Sequence, residues 1–288
     1  MSLGQTIRTL RQRRGMSQSE LAEGICTQSE ISRIENDLVL PQLNTLKKIA
    51  ARLGVTLYEL SEGSEESSQR IETLRRIHRY VRQQKWQELA ALLDEEEQSA
   101  ASREPFFRAA MTWARAVVVM EAEEKPHRAI TLLHNLLHKM VPLTLALQGQ
   151  VEMTLGDALL RTAQPEEARH ILERAFHRME SAPSQYEPWV PVRTAYLLSL
   201  AHWQLQQTTR SLYWAETALE LADAHDLRYL VGHAHLQAAV VLAHTGRSAE
   251  AHRHLEKAAC AARLTDDANL QAEIARWEGM LLAHRQNS

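Results

Sequence analysis

Four polar side chains, Gln28, Ser29, Ser32 and Arg33, fall on one side of a short helical pattern whose other side is Ile31 and Ile34. Their chemistry is hydrogen bonding to flat heteroaromatic edges: a glutamine amide pairs bidentately with adenine, a guanidinium with guanine, and a serine hydroxyl with several edges or with phosphate. Two further polar residues stand where a helix end would meet a phosphodiester, Gln18 at the opening of the preceding helix and Asn36 at the close of this one. Contacts of that kind fix register without reading sequence. Together with Thr27, which begins the helix, these residues form a candidate surface for double-stranded DNA.

The elements that must hold this surface are legible around it. Leu3, Ile7 and Leu10 form the apolar stripe of a first helix that runs into the basic stretch Arg11–Arg14 and stops at Gly15. Ser17 and Glu20 have capping-box spacing at the start of a second helix, and Leu21, Ala22 and Ile25 give it a buried face. Thr27 and Glu30 repeat the device for the third. Pro41 opens a fourth helix carrying Leu43, Leu46, Ile49, Ala50 and Leu53, and Leu57 and Leu60 belong to a fifth. Residues 1–62 therefore read as a compact five-helix domain. They hold eight basic and seven acidic side chains in a chain of net charge −3, so charge permits nucleic-acid binding without arguing for it.

The polar, acidic stretch from Ser61 to Ser68 predicts a linker, placed at residues 63–69. From residue 70 to 288 the pattern is helical and repeats. Equivalent second-helix positions fall at Leu89, Ala129, Ala168, Ser211 and Ala251, in steps of 40, 39, 43 and 40 residues. The clearest copy is Leu155-Gly156 followed by Ala168, Leu172 and Ala175, where small residues let two antiparallel helices approach. This pattern is similar to the tetratricopeptide repeat with longer helices or loops, and five hairpins plus a closing helix around Ala268–His284 would stack as an α-solenoid. The fold class is thus all-α, with an irregular bundle as the rival arrangement. Pro183, Pro188 and Pro191 break the helical pattern between two hairpins.

Other chemistries fit poorly. All 14 histidines lie beyond residue 77, yet His233 and His235, like His252 and His254, are two apart and point about 200° from each other on a helix. His134 and His138 share a face without a cysteine partner or a His-Glu-x-x-His pattern, so no metal and no cofactor is expected. No nucleophile motif or glycine-rich phosphate loop appears, and Asp94–Glu97 reads as a solvated helix end, so an enzyme is not expected. Cys26 and Cys260 are too few for a disulfide framework. With no apolar run near 20 residues and no secretory signal, the expected place is the cytoplasm.

On these residues Leu3–Leu60 resembles the Xre/Cro class of helix-turn-helix domains. The run from Ile25 to Glu35 is similar to the PlcR-like branch of the RRNPP family, with Arg276-Trp277-Glu278 as a weaker local match. The resemblance implies that Arg11 and Glu35 bridge the first and third helices as a structural pair. It also implies a transcriptional regulator controlled by a short signalling peptide held in the concave face of the repeats. The repeat alignment puts Met111, Gln150, Met153, Asp157, Arg193, Tyr196, Trp203 and His233 on that face, although several would serve equally as packing between repeats. A homodimer on an inverted-repeat operator is expected from two-fold symmetry. The alternative is a repeat domain that acts as a scaffold for a partner protein.

Overall fold

In the computed structural model the described residues are 3–36, 38–39, 41–56, 65–97, 105–138, 143–228, 230–265 and 267–286. Every regular element among them is helical. Four short helices come first: α1 (Leu3–Arg13), α2 (Gln18–Ala22), α3 (Gln28–Glu35) and α4 (Leu43–Arg52). Ile7, Leu21, Ile31, Ile34, Ile49 and Leu53 meet in one fully buried cluster, with Leu3, Leu10, Ile25 and Leu46 packed around it. Gly15 adopts φ +67° after α1, a left-handed turn that costs a residue with a Cβ extra energy. Helix α4 starts at Leu43, two residues after Pro41, because Gln42 takes the extended cap position. Leu57 and Leu60, expected in a fifth helix, lie outside the described residues.

Five hairpins follow: α5 (Glu65–Arg82) with α6 (Trp86–Glu97), α7 (Pro105–Glu121) with α8 (Pro126–His138), and α9 (Leu145–Arg161) with α10 (Pro165–Ser181). A 3-10 turn at Pro183–Gln185 precedes α11 (Trp189–Gln204) and α12 (Thr208–Ala224), then α13 (Val231–His244) and α14 (Ser248–Thr265), and α15 (Ala268–Gln286) closes the chain. Helix α5 begins at Glu65, so most of the stretch expected as a linker at 63–69 is its first turn. By contacts the chain divides into two compact units, Met1–Arg103 and Glu104–Ser288, and the α5–α6 hairpin goes with the first.

The repeat positions are the same position structurally. Leu89, Ala129, Ala168, Ser211 and Ala251 are each the fourth residue of a second helix, and each is 0% exposed. Five residues before each stands a left-handed residue, Gln84, Glu124, Ala163, Gln206 and Gly246. Four of the five turns close with the N–H of the next residue on a carbonyl five back: Lys85 on Tyr80, Gln164 on Leu159, Gln207 on His202 and Arg247 on Leu242. That bond satisfies a carbonyl the helix end would leave orphaned.

The small residues act where helices cross. A Cβ on Gly156 would lie 2.5 Å from the Leu172 side chain, so α9 and α10 are as close there as a missing side chain allows. Ser211 fills the small position of the fourth hairpin for a further reason. Its hydroxyl donates to the Ser199 carbonyl at 2.8 Å and the Ser199 hydroxyl donates to the Ser211 carbonyl at 2.7 Å. Trp113 on α7 donates to the buried Thr154 hydroxyl on α9 at 2.9 Å.

Candidate nucleic-acid interface and repeat-face site

The capping box expected at the start of α2 forms in full, and at the start of α3 its hydroxyl half forms. The Ser17 hydroxyl accepts the Glu20 N–H at 3.2 Å while the Glu20 carboxylate accepts the Ser17 N–H at 2.6 Å, and Thr27 accepts the Glu30 N–H at 3.2 Å. These bonds set the start of α2 and α3 and hold Glu20 ionised below the ordinary carboxylate range. Ile31 and Ile34 are sealed in the core. Thr27, Gln28, Ser29, Arg33 and Asn36 are exposed, and Ser32 and Gln18 half-exposed. The Asn36 amide donates to the Ser32 carbonyl at 2.8 Å and so finishes the helix.

Behind this face runs a chain of bonds with a fixed direction. Arg11 grips Glu35 with two parallel bonds, Nε to Oε1 at 2.6 Å and Nη2 to Oε2 at 2.9 Å, and its Nη1 donates to the Met16 carbonyl at 2.7 Å. Burial pushes the Glu35 pKa up, but bonds from Arg11 and Gln18 and the charges of Arg11 and Arg8 outweigh it, and the net shift is downward. An ionised carboxylate only accepts, so Gln18 turns Nε2 toward Glu35, at 2.9 Å. Its Oε1 is thereby left to accept Nε2 of Gln28 at 2.7 Å. Gln28 keeps its own Oε1 and one N–H on the exposed face, the acceptor and donor that adenine N6 and N7 require.

In the repeats the expected face is only partly open. Gln150 and Met153 share the face of α9 that carries Asp157 but are only 3% and 2% exposed, as packing between repeats requires. Met111, Arg193, Tyr196, Trp203 and His233 are half-buried. Asp157 is brought to Arg193 at 2.6 Å and to Arg161 at 3.0 Å, and Arg161 also donates to Glu121 at 2.7 Å. Burial alone would raise the Asp157 pKa; Arg193 and Arg161 reverse that and lower it. Tyr196 and His233 meet edge-to-face at 6.2 Å, His233 is 3.8 Å from Asp267, and Trp203 meets His244 at 5.3 Å.

Glu121 and Arg161 were not singled out from sequence, although they stand 40 residues apart, one repeat length, which is a usable signal. The pair His235 and His254, Nδ1 to Nδ1 at 3.1 Å, joins α13 to α14, and no spacing within either helix signals it. Among the described residues no three His, Cys, Asp or Glu side chains are grouped as metal ligands, and no helix is long and apolar enough to cross a membrane.

Residues 7–60 match the helix-turn-helix family. The first unit carries a helix-turn-helix domain. No curated protein matches the chain. Among solved structures it is similar over nearly its whole length to PlcR of Bacillus thuringiensis in complex with the peptide PapR7 and DNA. The TM-score is 0.76 at 19% identity, covering 97% of this chain and 98% of that one. ComR from S. thermophilus, in complex with DNA and its signalling peptide ComS, matches at TM-score 0.57 and 17% identity, over 97% and 99%. The SHP pheromone receptor Rgg2 of Streptococcus dysgalactiae matches at 0.53 and 14%, over 96% and 98%. The likeness is one of fold: a helix-turn-helix followed by a helical-repeat body like that of PlcR.

Proposed function

We propose that the chain is a sequence-specific DNA-binding transcriptional regulator acting in the cytoplasm as a homodimer, with α3 in the major groove and the repeat unit responding to a short peptide. The observation that carries the DNA reading is the directed chain Arg11, Glu35, Gln18, Gln28. It is built to present an amide in one orientation on an otherwise exposed polar face. Gln28, Ser29, Ser32 and Arg33 read bases, and Gln18, Thr27 and Asn36 meet phosphates. Two-fold symmetry would set half-sites about 34–36 Å apart, or a multiple of that.

Peptide control rests on the fold shared with PlcR and ComR, both solved with their peptides. A peptide acts only if it binds one relative placement of two α3 helices better than another. The second reading is a scaffold for a partner protein: the burial of Gln150 and Met153 and the engagement of Asp157 with two arginines leave fewer side chains of this face to grip a peptide. Selection of bound sequences from a random duplex pool tests the first claim: the native chain should return an inverted repeat, and a pool with no enrichment overturns it. Peptide extracts that shift operator affinity would support the first reading of the repeats, and one co-purifying protein the second.

A further inference from the structure

A cavity of about 640 Å³ opens in the second unit between α8, α9 and α10, within the size range of small-molecule sites. It is on the far side of α9 from the Asp157 network. Gln148, Glu152 and Leu155, which line it, are turned roughly 160° around the helix from Gln150, Met153 and Asp157. Leu137, Leu155 and Ile171 make the lining apolar in its middle.

The polar side chains are ordered by charge along α10. Glu167, His170, Arg174 and Arg178 follow at three- and four-residue steps and share one face. Glu152, 2% exposed, accepts from Gln148 at 3.3 Å and from the Arg178 guanidinium. Its charge is thus spent within the wall, and most of the five N–H groups of Arg178 are left over. Arg174 has no hydrogen bond or ion pair among the described residues. Glu167, at the other end, faces only His134 at 3.7 Å. From Glu167 to Arg174 is seven residues, about 10 Å along the axis.

We propose that this cavity binds a small zwitterion, its ammonium end at Glu167 and its carboxylate end at Arg174, with an apolar middle against Leu155 and Ile171. The carboxylates and guanidiniums of the wall balance, two against two. A ligand of one sign would therefore engage one end and leave the other without a new partner, whereas a zwitterion of this length satisfies both. The class includes ω-amino acids and peptides of two or three residues.

The test is calorimetric titration of the full chain with 8-aminooctanoate, octanoate, octylamine and glycyl-leucyl-glycine. The first should bind at one site per chain, about tenfold or more tighter than either singly charged analogue. Arg174→Gln should reduce it to the affinity of octylamine, and Glu167→Gln to that of octanoate; both positions are on the surface, so the fold is retained. Tighter binding by the tripeptide would identify the source as peptide, and tighter binding by 8-aminooctanoate as an amino acid. Absence of saturable binding by either zwitterion, or equal affinity for the zwitterion and a singly charged analogue, overturns the proposal. So does binding that neither substitution changes.

Discussion

The Gln18 side chain donates to the Glu35 carboxylate across 2.9 Å, and that bond decides which end of the Gln18 amide meets Gln28 on α3. Replacing Gln18 by Leu removes the acceptor that restrains Gln28 while leaving Gln28 in place. Binding to the selected operator should weaken by about 1–2 kcal/mol, and the preference for adenine opposite Gln28 should relax. Arg33→Ala should relax a different base position by about 1–3 kcal/mol. Competition binding against single-base operator variants reads both. If Gln28→Ala and Arg33→Ala together select the same sequences as the native chain, α3 is not the reading element.

Breaking the Arg11–Glu35 pair from one side should be far costlier than its bond count suggests. Arg11→Ala strands a carboxylate whose side chain is 0% exposed, at about 3–5 kcal/mol, enough to unfold the small domain. Replacing both residues by apolar ones should recover much of that, since no buried charge is left. The sign with pH follows from the lowered Glu35 pKa. The pair stabilises fully above the ordinary carboxylate range and is lost as pH falls through the depressed value. Chemical denaturation of the isolated variants at neutral pH would expose an error here: equal stability of Arg11→Ala and the double replacement.

Much of this was readable because the signals are local. Ser17 with Glu20 and Thr27 with Glu30 are three residues apart, and a three-residue spacing fixes both the cap and the helix it begins. The small positions from Leu89 to Ala251 were readable because a period repeats them. The inner face of α9 was not: all residues from Val151 to Leu160 are buried, so hydrophobicity gave no stripe to orient Gln150 or Met153. Nor does any local pattern join His235 to His254, which meet only once α13 and α14 pack, and Glu121 and Arg161 are linked only through the repeat period. The left-handed turn residues were hidden for a chemical reason, since only Gly246 of the five advertises its conformation.

That last point gives a stability experiment. Ala163 and Gln206 hold φ of +56° and +60°, where a Cβ is crowded by the backbone. Ala163→Gly and Gln206→Gly should each stabilise the second unit by about 0.5–1 kcal/mol, net of the entropy glycine loses on folding. Gly246→Ala should destabilise it by about as much. Melting temperatures measured side by side decide the matter, and a loss of stability in both glycine variants would contradict the turn geometry.

Four imidazoles in the second unit titrate against folding. Burial lowers the pKa of His202, His233 and His254, and with the neighbouring His254 and Lys257 charges it lowers that of His235 to about 4. A lowered imidazole takes up its proton more readily unfolded. Its contribution is complete above the ordinary value near 6.5 and declines as pH falls toward the folded value. His202 adds to this, since its buried Nε2 has no hydrogen-bond partner among the described residues and the Glu173 carboxylate, 3.7 Å away, offsets the burial only in part. The melting temperature should fall steadily between pH 7 and 5, and His235→Leu should flatten the slope. A profile that is level over that interval would refute the assignment.

The close approach at Gly156 offers a test by compensation. Gly156→Ala would place a methyl 2.5 Å from Leu172, which is itself 0% exposed and has no space to retreat into. Overpacking of that kind costs about 1–3 kcal/mol, and the gain of alanine over glycine within a helix returns only about 1. The single variant should therefore be less stable. Leu172→Ala alone opens a cavity and costs about 2–5 kcal/mol. In the double variant the new methyl occupies part of that space, so the two losses should sum to more than the measured one. If α9 and α10 instead meet loosely at this point, the two effects will add, and the interaction energy of the cycle will be zero.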